Sequence, residues 1–281
     1  MKKFFVILVC KMIRLAGKLT GRGSSLPGQI ALKLDPNILS KIKMPPYIVA
    51  VTGSNGKTST VELIARILKD AGKSFAYNKE GSNQIEGVTT LILDNCTLSG
   101  KVKPEIILIE SDERFAKYTF GHFTPTHYVI TNLYRDQLTR NGHPEWVYHA
   151  IEESIHPGTQ LVLNADDPLV SKFGLGRENT VYFGADRLPQ STGECTSLYN
   201  DGKYCPNCKH LMEYEFYHYN HIGKFRCPNC GLHSNPTVYT VTSADLDDSS
   251  VVINEKYKLR LAFSSFYMMY NTLAAFAAAS L

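Results

Sequence analysis

The 281-residue sequence has one tryptophan, a formal net charge of only +4, and no long hydrophobic run. Its most apolar opening stretch, Phe4-Phe-Val-Ile-Leu-Val-Cys10, follows Lys2-Lys3 and imitates the start of a signal peptide. Lys11, Arg14 and Lys18 interrupt what comes next, so a transmembrane span of about 20 apolar residues is excluded. A charge of this size permits anionic substrates or an anionic surface but does not call for nucleic acid. An even disulfide framework is also missing. There are seven cysteines, with Cys10, Cys96 and Cys195 scattered, which points to a reducing cytoplasm rather than a stapled secreted domain. With 43% hydrophobic and 20% charged residues, wholesale disorder is excluded, and the length suits about two domains of ordinary size.

What is present centres on Tyr47-Ile-Val-Ala-Val51 followed by Thr52-Gly-Ser-Asn-Gly-Lys-Thr58. An apolar strand, a glycine-rich turn and a helix in that order form a phosphate-binding loop, because successive backbone N–H groups and a helix N-terminus converge on one anion. Gly53, Ser54, Asn55 and Gly56 would wrap the phosphates, Lys57 would reach the terminal ones, and the Thr58 hydroxyl would ligate Mg²⁺. Val51 occupies the place of the first glycine in the general Walker pattern, so a bare motif search passes over the loop.

Residues 3 to 19 read as a basic helix with an apolar face, suited either to packing on the protein body or to lying on an anionic membrane. Gly21 to Gly28 reads as a turn-rich connector, and Ile30 to Ile42 as a short helix broken at Asp35-Pro36. A helix is expected from Thr58 to Ala71, closed by Gly72. Short apolar strands are expected at 105–110, 127–131 and 160–164, with a helix from Pro144 to Ile155 bringing Trp146, Ile151 and Ile155 to the core. Strands and helices alternating at this spacing predict a doubly wound α/β domain around a largely parallel sheet. Glu110 and Asp112 end one strand, where a carboxylate is placed to hold Mg²⁺ directly or through water.

Near Gly193 the style changes. Cys205-Pro-Asn-Cys208 and Cys227-Pro-Asn-Cys230 are two thiolate knuckles at zinc-ribbon spacing. Four thiolates leave no open position for water, so a structural Zn²⁺ is expected. Tyr214, Phe216, Tyr217, Tyr219 and Phe225 alternate with Lys209, Lys224 and Arg226; they would form the small core of the ribbon or, alternatively, stack bases. Residues 250–253 and 257–263 read as a hairpin, and Asn271 as the N-cap of an alanine-rich terminal helix that runs to the last residue, as in a truncated chain.

Thr52-Gly-Ser-Asn-Gly-Lys-Thr58, Thr131-Asn-Leu-Tyr-Arg-Asp136, Asn164-Ala-Asp-Asp-Pro168 and Asn271-x-x-Ala-Ala275, in that order, resemble the Mur ligase family of ATP-dependent carboxylate–amine ligases. The Cys₄ ribbon inserted in the central domain, and Arg22-Gly-Ser-Ser-Leu-Pro-Gly28 before it, resemble the branch that amidates lipid II. The resemblance implies a short N-terminal region at 1–45, an ATP-binding central domain at 46–281 with a ribbon insertion at about 193–240, and a C-terminal ligase domain absent from this sequence. It implies ATP and Mg²⁺ on Lys57, Thr58 and Glu110, adenine near Asn271, and Asn164, Asp166 and Asp167 at the nucleoside. It further implies a GatD-like glutamine amidotransferase partner that supplies ammonia, and a lipid II substrate at the inner face of the plasma membrane.

Two departures stand out. Asp136-Gln137 replaces the family's Asp-His, and no lysine lies between Asn141 and Ser171 where many members carry a carbamylated one, so a second Mg²⁺ site is not expected. The isolated chain is expected to bind ATP weakly and not to amidate. Two other activities fit parts of the sequence: an amino-acid-adding Mur or folylpolyglutamate-type ligase, and a nucleic-acid-binding ATPase that reads through its ribbon.

Overall fold

The computed structural model describes residues 2–19, 24–78, 82–135, 144–197 and 199–281; Arg22 and Asp136-Gln137 lie outside them. The chain divides into two compact units. The first comprises Met1–Thr52, Ile64–Tyr128 and Ala150–Thr159, and the second Gly53–Leu63, Val129–His149 and Gln160–Leu281.

The first unit is built on a parallel ladder. β3 (Ile106–Glu110) lies between β1 (Tyr47–Thr52) and β2 (Phe75–Tyr77), with Tyr47 opposite Ile106 and Val51 opposite Glu110. Every residue of β3 and all but Tyr47 of β1 are buried, as an unbroken apolar run requires when both faces of a strand are covered. Three helices pack together here: α1 (Lys2–Leu19), α2 (Leu26–Leu34) and α4 (Ile85–Asp94). The approach of α2 to α4 is close enough that a Cβ on Gly28 would sit 1.9 Å from the Glu86 carbonyl oxygen, and the Gly28 N–H donates to Thr90 Oγ1 at 2.8 Å.

Two expectations shift in this unit. The second helix begins at Leu26, four residues before Ile30, because Pro27 is tolerated in a first helical turn where its missing N–H has no partner to lose. It ends at Leu34, and a 3₁₀ turn follows at Leu39–Lys41. α4 was not foreseen. Residues 87–93 are all buried, so no polar face marks a 3.6-residue period, and Gly87, Thr89 and Thr90 lower its helical propensity.

In the second unit β5 (Gln160–Asn164), β6 (Thr180–Ala185) and β9 (Tyr239–Asp245) run parallel, and β10 (Ser250–Ile253) and β11 (Tyr257–Arg260) extend the ladder antiparallel. Asn254 and Glu255, at φ 51° and 56°, form the expected hairpin turn. A separate two-stranded ribbon pairs β7 (Glu213–Tyr219) with β8 (Ile222–Arg226).

β4 (His127–Ile130) and α3 (Lys57–Asp70) appear as expected, with Gly72 at φ 67° closing the helix. α5 is the short Ala116–Phe120 turn. α6 covers Pro144–Glu152, but Trp146 is 74% exposed rather than core. The buried stripe is Val147, Tyr148 and Ile151, and Trp146 lies a helical step off it. α7 (Pro168–Ser171) is short, and α8 covers Phe266–Ala279. Asn271 is therefore not the N-cap of that helix. Ser265 caps it, accepting from Met268 N at 3.0 Å, and Asn271 sits buried within the helix, where its amide is available for another task.

Candidate nucleotide-binding site

The turn between β1 and α3 is held open by polar groups just beyond the end of β4 together with its own Ser54 and Asn55 side chains. Gly53 and Gly56 adopt φ 137° and 83°, regions closed to ordinary residues. There is also no room for a side chain at either. A Cβ on Gly53 would meet Thr131 Oγ1 at 2.2 Å, and one on Gly56 would meet Asn271 Oδ1 at 2.1 Å.

Asn132, at the end of β4, is the brace. Its carbonyl accepts from Ser54 N at 2.8 Å, its Oδ1 from Asn55 N at 2.9 Å, and its Nδ2 donates to Asn55 O at 3.1 Å. Thr131 Oγ1 donates to the same Asn55 carbonyl at 2.9 Å. Tyr134 completes the frame. Its N–H donates to Ser54 Oγ at 3.0 Å, Ser54 Oγ donates to the Tyr134 carbonyl at 3.0 Å, and Asn55 Nδ2 donates to the Tyr134 hydroxyl at 2.7 Å. The amides of Ser54 and Asn55, expected at the phosphates, are thus engaged by Asn132. Lys57 turns back over the loop and donates to the Gly53 carbonyl at 2.6 Å, while Thr58 is exposed in the first turn of α3.

A cleft of about 380 Å³ opens here, lined by Asn55, Gly56, Ser59, Asn132, Tyr134, Tyr267 and Asn271. Backbone polar groups, amides and two tyrosines around a helix N-terminus suit a ligand with an anionic end and a flat aromatic end. Tyr134 and Tyr267 were not singled out in the sequence. A tyrosine four residues past the end of β4 is the only local sign, and Tyr267 is brought in by the start of α8.

Asn164, Asp166 and Asp167 sit behind this wall and do not line the cleft. Asn164 Nδ2 donates to the Thr131 carbonyl at 3.0 Å and its Oδ1 accepts from Asp166 N at 3.0 Å. Asp167 caps α7 through Leu169 N and Val170 N, and its Oδ2 accepts from Leu133 N at 2.7 Å. Asp166 Oδ2 accepts from both the Tyr270 hydroxyl and Ala185 N at 2.7 Å, and burial raises its pKa to about 6. His221 is wholly buried 3.5 Å from Asp167, with no hydrogen-bond partner on either ring nitrogen among the described residues.

Glu110 belongs to the first unit. It is 4% exposed, so its carboxylate is buried at the end of β3 rather than solvated. Asn78 clamps its backbone from both sides, at 2.8 and 2.9 Å, and Asn83 Nδ2 donates to its carboxylate at 3.3 Å.

The four knuckle cysteines converge, with all their sulfurs within 4.8 Å of one another. Cys205 and Cys230 are 3.5 Å apart, as are Cys208 and Cys227. The residue after each knuckle, Lys209 and Gly231, has φ 62° and 76°, and its N–H returns to the carbonyl of the first cysteine of its pair. Two matched knuckles with sulfurs at these separations fit one tetrahedral ion with metal–sulfur bonds of about 2.3 Å. The second cysteine of each knuckle is pulled toward its thiolate form, Cys208 to about 6, chiefly by the Asn229 side chain, and Cys230 by the Leu232 N–H. Phe216, Tyr219 and Phe225 are buried, so these ribbon aromatics form a core rather than an exposed base-stacking row.

A largely parallel α/β ladder, a glycine-rich loop of the phosphate-binding type at the mouth of β1 and a Cys₄ knuckle pair that could hold one metal ion define an α/β fold with an inserted cysteine ribbon. Residues 51–230 match the Mur ligase middle domain. The chain belongs to the Mur ligase family. It is 36% identical, over 98% of its length and 62% of the relative's, to the lipid II isoglutaminyl synthase (glutamine-hydrolyzing) subunit MurT of Staphylococcus aureus strain COL. It is 34% identical to the MurT subunit of Streptococcus pneumoniae R6, over 92% of this chain and 58% of that one. The chain thus spans about 60% of the length of these relatives. Among solved structures it resembles a type C pseudomurein peptide ligase from Methanothermus fervidus, with TM-score 0.71 and 26% identity over 87% of this chain and 48% of that one.

Proposed function

We propose that this chain is the ATP-binding part of a ligase that amidates the D-glutamate α-carboxylate of lipid II, with ammonia supplied by a GatD-like glutaminase partner. The observation that supports it most is the loop-and-cleft geometry, Gly53 to Thr58 braced by Asn132 and faced by Asn271, in a chain similar to the MurT subunits along almost its whole length. Carboxylate and ammonia do not condense unaided. Bound ATP supplies the activating phosphoryl group, which would leave as phosphate when ammonia takes its place on the carbonyl carbon.

The chain's own residues would act by positioning and charge neutralisation. We assign the phosphates to the amides of Gly56, Lys57 and Thr58 at the start of α3, and to the Lys57 ammonium once it leaves the Gly53 carbonyl. Thr58 is assigned as an Mg²⁺ ligand in the second unit and Glu110 as a candidate Mg²⁺ ligand in the first, and Tyr134, Tyr267 and Asn271 would hold the base. Asn164, Asp166 and Asp167 would position the wall rather than touch the nucleotide. The cysteines suit Zn²⁺ as a structural ion.

Among the described residues no helix is long and apolar enough to cross a membrane. Purified chain titrated with ATP and Mg²⁺ in a calorimeter tests the nucleotide site, and a form of the chain carrying the C-terminal ligase domain, co-expressed with a glutaminase subunit and given glutamine and lipid II, tests the reaction by a one-dalton mass decrease in lipid II. ATP binding by the chain with no amidation by that longer form under any partner condition would sink the amidase reading while leaving the nucleotide site standing.

A further inference from the structure

α1 presents two opposite faces. Val6, Ile7 and Cys10 are at most 1% exposed and pack into the first unit. The helix is tied down at several points: Lys3 Nζ donates to the Lys41 carbonyl at 3.3 Å, Lys11 Nζ donates to the Asp94 carbonyl at 2.5 Å, and Arg14 lies 3.8 Å from the Asp94 carboxylate. A helix fixed in this way cannot turn its outer face inward. That face carries Phe4, Phe5, Leu8, Met12 and Leu15, with exposures of 49%, 55%, 36%, 63% and 66%. At roughly 100° per residue these five side chains fall within an arc of about 100°, opposite the buried stripe. Five large apolar groups on one turn-to-turn face form a contiguous patch, unlike the single exposed leucines common on any surface.

The net charge of the segment that carries the patch points to its occupant. Residues 1–46 contain nine lysines and arginines and one acid, Asp35, whereas the remaining 235 residues contain twenty-one basic and twenty-five acidic ones. Asp35 is itself paired with Lys41 at 2.6 Å. The whole positive excess of the molecule therefore lies in the segment that carries the apolar face, and the rest of the chain is net negative. A protein partner that covered the patch would need only apolar complementarity. An anionic bilayer would use both features, taking the aromatic and aliphatic side chains into the headgroup and acyl boundary while the segment's excess positive charge draws it to anionic headgroups.

We infer that α1 lies flat on an anionic lipid surface, with Phe4, Phe5, Leu8, Met12 and Leu15 inserted. This holds whatever reaction the rest of the chain carries out.

The test is co-sedimentation of the full chain with vesicles of phosphatidylcholine alone and of phosphatidylcholine mixed with phosphatidylglycerol. The expected result is binding to the mixed vesicles at least tenfold tighter than to the neutral ones, weakened by added salt. The triple variant Phe5→Ser/Met12→Ser/Leu15→Ser should lose at least tenfold in binding while melting at the parent temperature, since all three side chains are exposed. The single variant Met12→Ser, which removes one inserted group, should show a smaller loss in the same direction. Equal binding by parent and variants would overturn the inference. So would absence of binding to either vesicle, or a parent that forms dimers abolished by the triple variant and binds no lipid.

Discussion

A Cβ placed on Gly56 would lie 2.1 Å from Asn271 Oδ1, so the phosphate loop and the last helix of the second unit fit together only because position 56 has no side chain. The 214 residues between them in sequence make this a relationship of the fold, and it carries the first prediction. Gly56→Ala must strain a backbone at φ 83° and also displace the Asn271 amide. Nucleotide affinity should fall at least tenfold by calorimetry, with a stability loss of about 1–3 kcal/mol. Asn271→Ala alone should weaken binding, and the double variant should lose less than the sum of the two single losses, because the clash disappears with the amide. Strict additivity would count against the steric account.

Asp167 is expected to matter for the loop although it does not line the cleft. Its carboxylate satisfies three backbone N–H groups, those of Leu169, Val170 and Leu133, and Leu133 precedes the tyrosine that grips Ser54 and Asn55. Asp167→Ala should cost about 2–4 kcal/mol in urea unfolding, by loss of the cap and of a buried acceptor. Its effect on nucleotide affinity should exceed that of Glu62→Ala, on α3 beyond the turn.

Stability should respond to pH through two buried groups of opposite sign. Burial raises Asp166 from 3.8 to about 6, so the native state holds a proton that the unfolded chain has released, and stability falls as pH rises across that window. Burial lowers His218 from 6.5 to about 4, so the unfolded chain binds the proton first and stability rises across its window. Each contribution is at most about 3 kcal/mol, and in the parent they largely offset. Asp166→Asn keeps an oxygen for Tyr270 and Ala185 and removes one of the two. Urea midpoints of this variant should climb steadily from pH 4 to 6.5, whereas the parent stays flat; a flat profile in both would refute the assignment.

Metal content gives a further check. Purified chain should contain one zinc per molecule by elemental analysis, and Cys227→Ser should abolish it. Cys205, Met212, Phe225, Cys227 and Leu232 form the ribbon's own small core, so metal removal should melt this hairpin first. Loss of the aromatic near-ultraviolet signal on chelation, with far-ultraviolet helicity largely retained, is the expected signature.

Local chemistry made much of this protein readable in the sequence. β1, β3, β4 and β5 have apolar centres that read as doubly covered strands, the glycines at 53 and 56 announce a loop that must bend as others cannot, and two Cys-Pro-Asn-Cys runs announce a candidate metal site. Features without a local signature stayed hidden. α4 has no polar face to show its period, and Trp146 lies one helical step from a core stripe that the pattern alone could not centre. Asn271 looks like a cap in sequence, yet Ser265 takes that place. Tertiary packing decided that Asn132 rather than the loop itself would satisfy the amides of Ser54 and Asn55, that Tyr134 and Tyr267 would wall the cleft, and that Asp166 and Asp167 would be spent on backbone and tyrosine. Such pairings join residues far apart in the chain, and buried polar groups choose partners only once packing has fixed which of them are within reach.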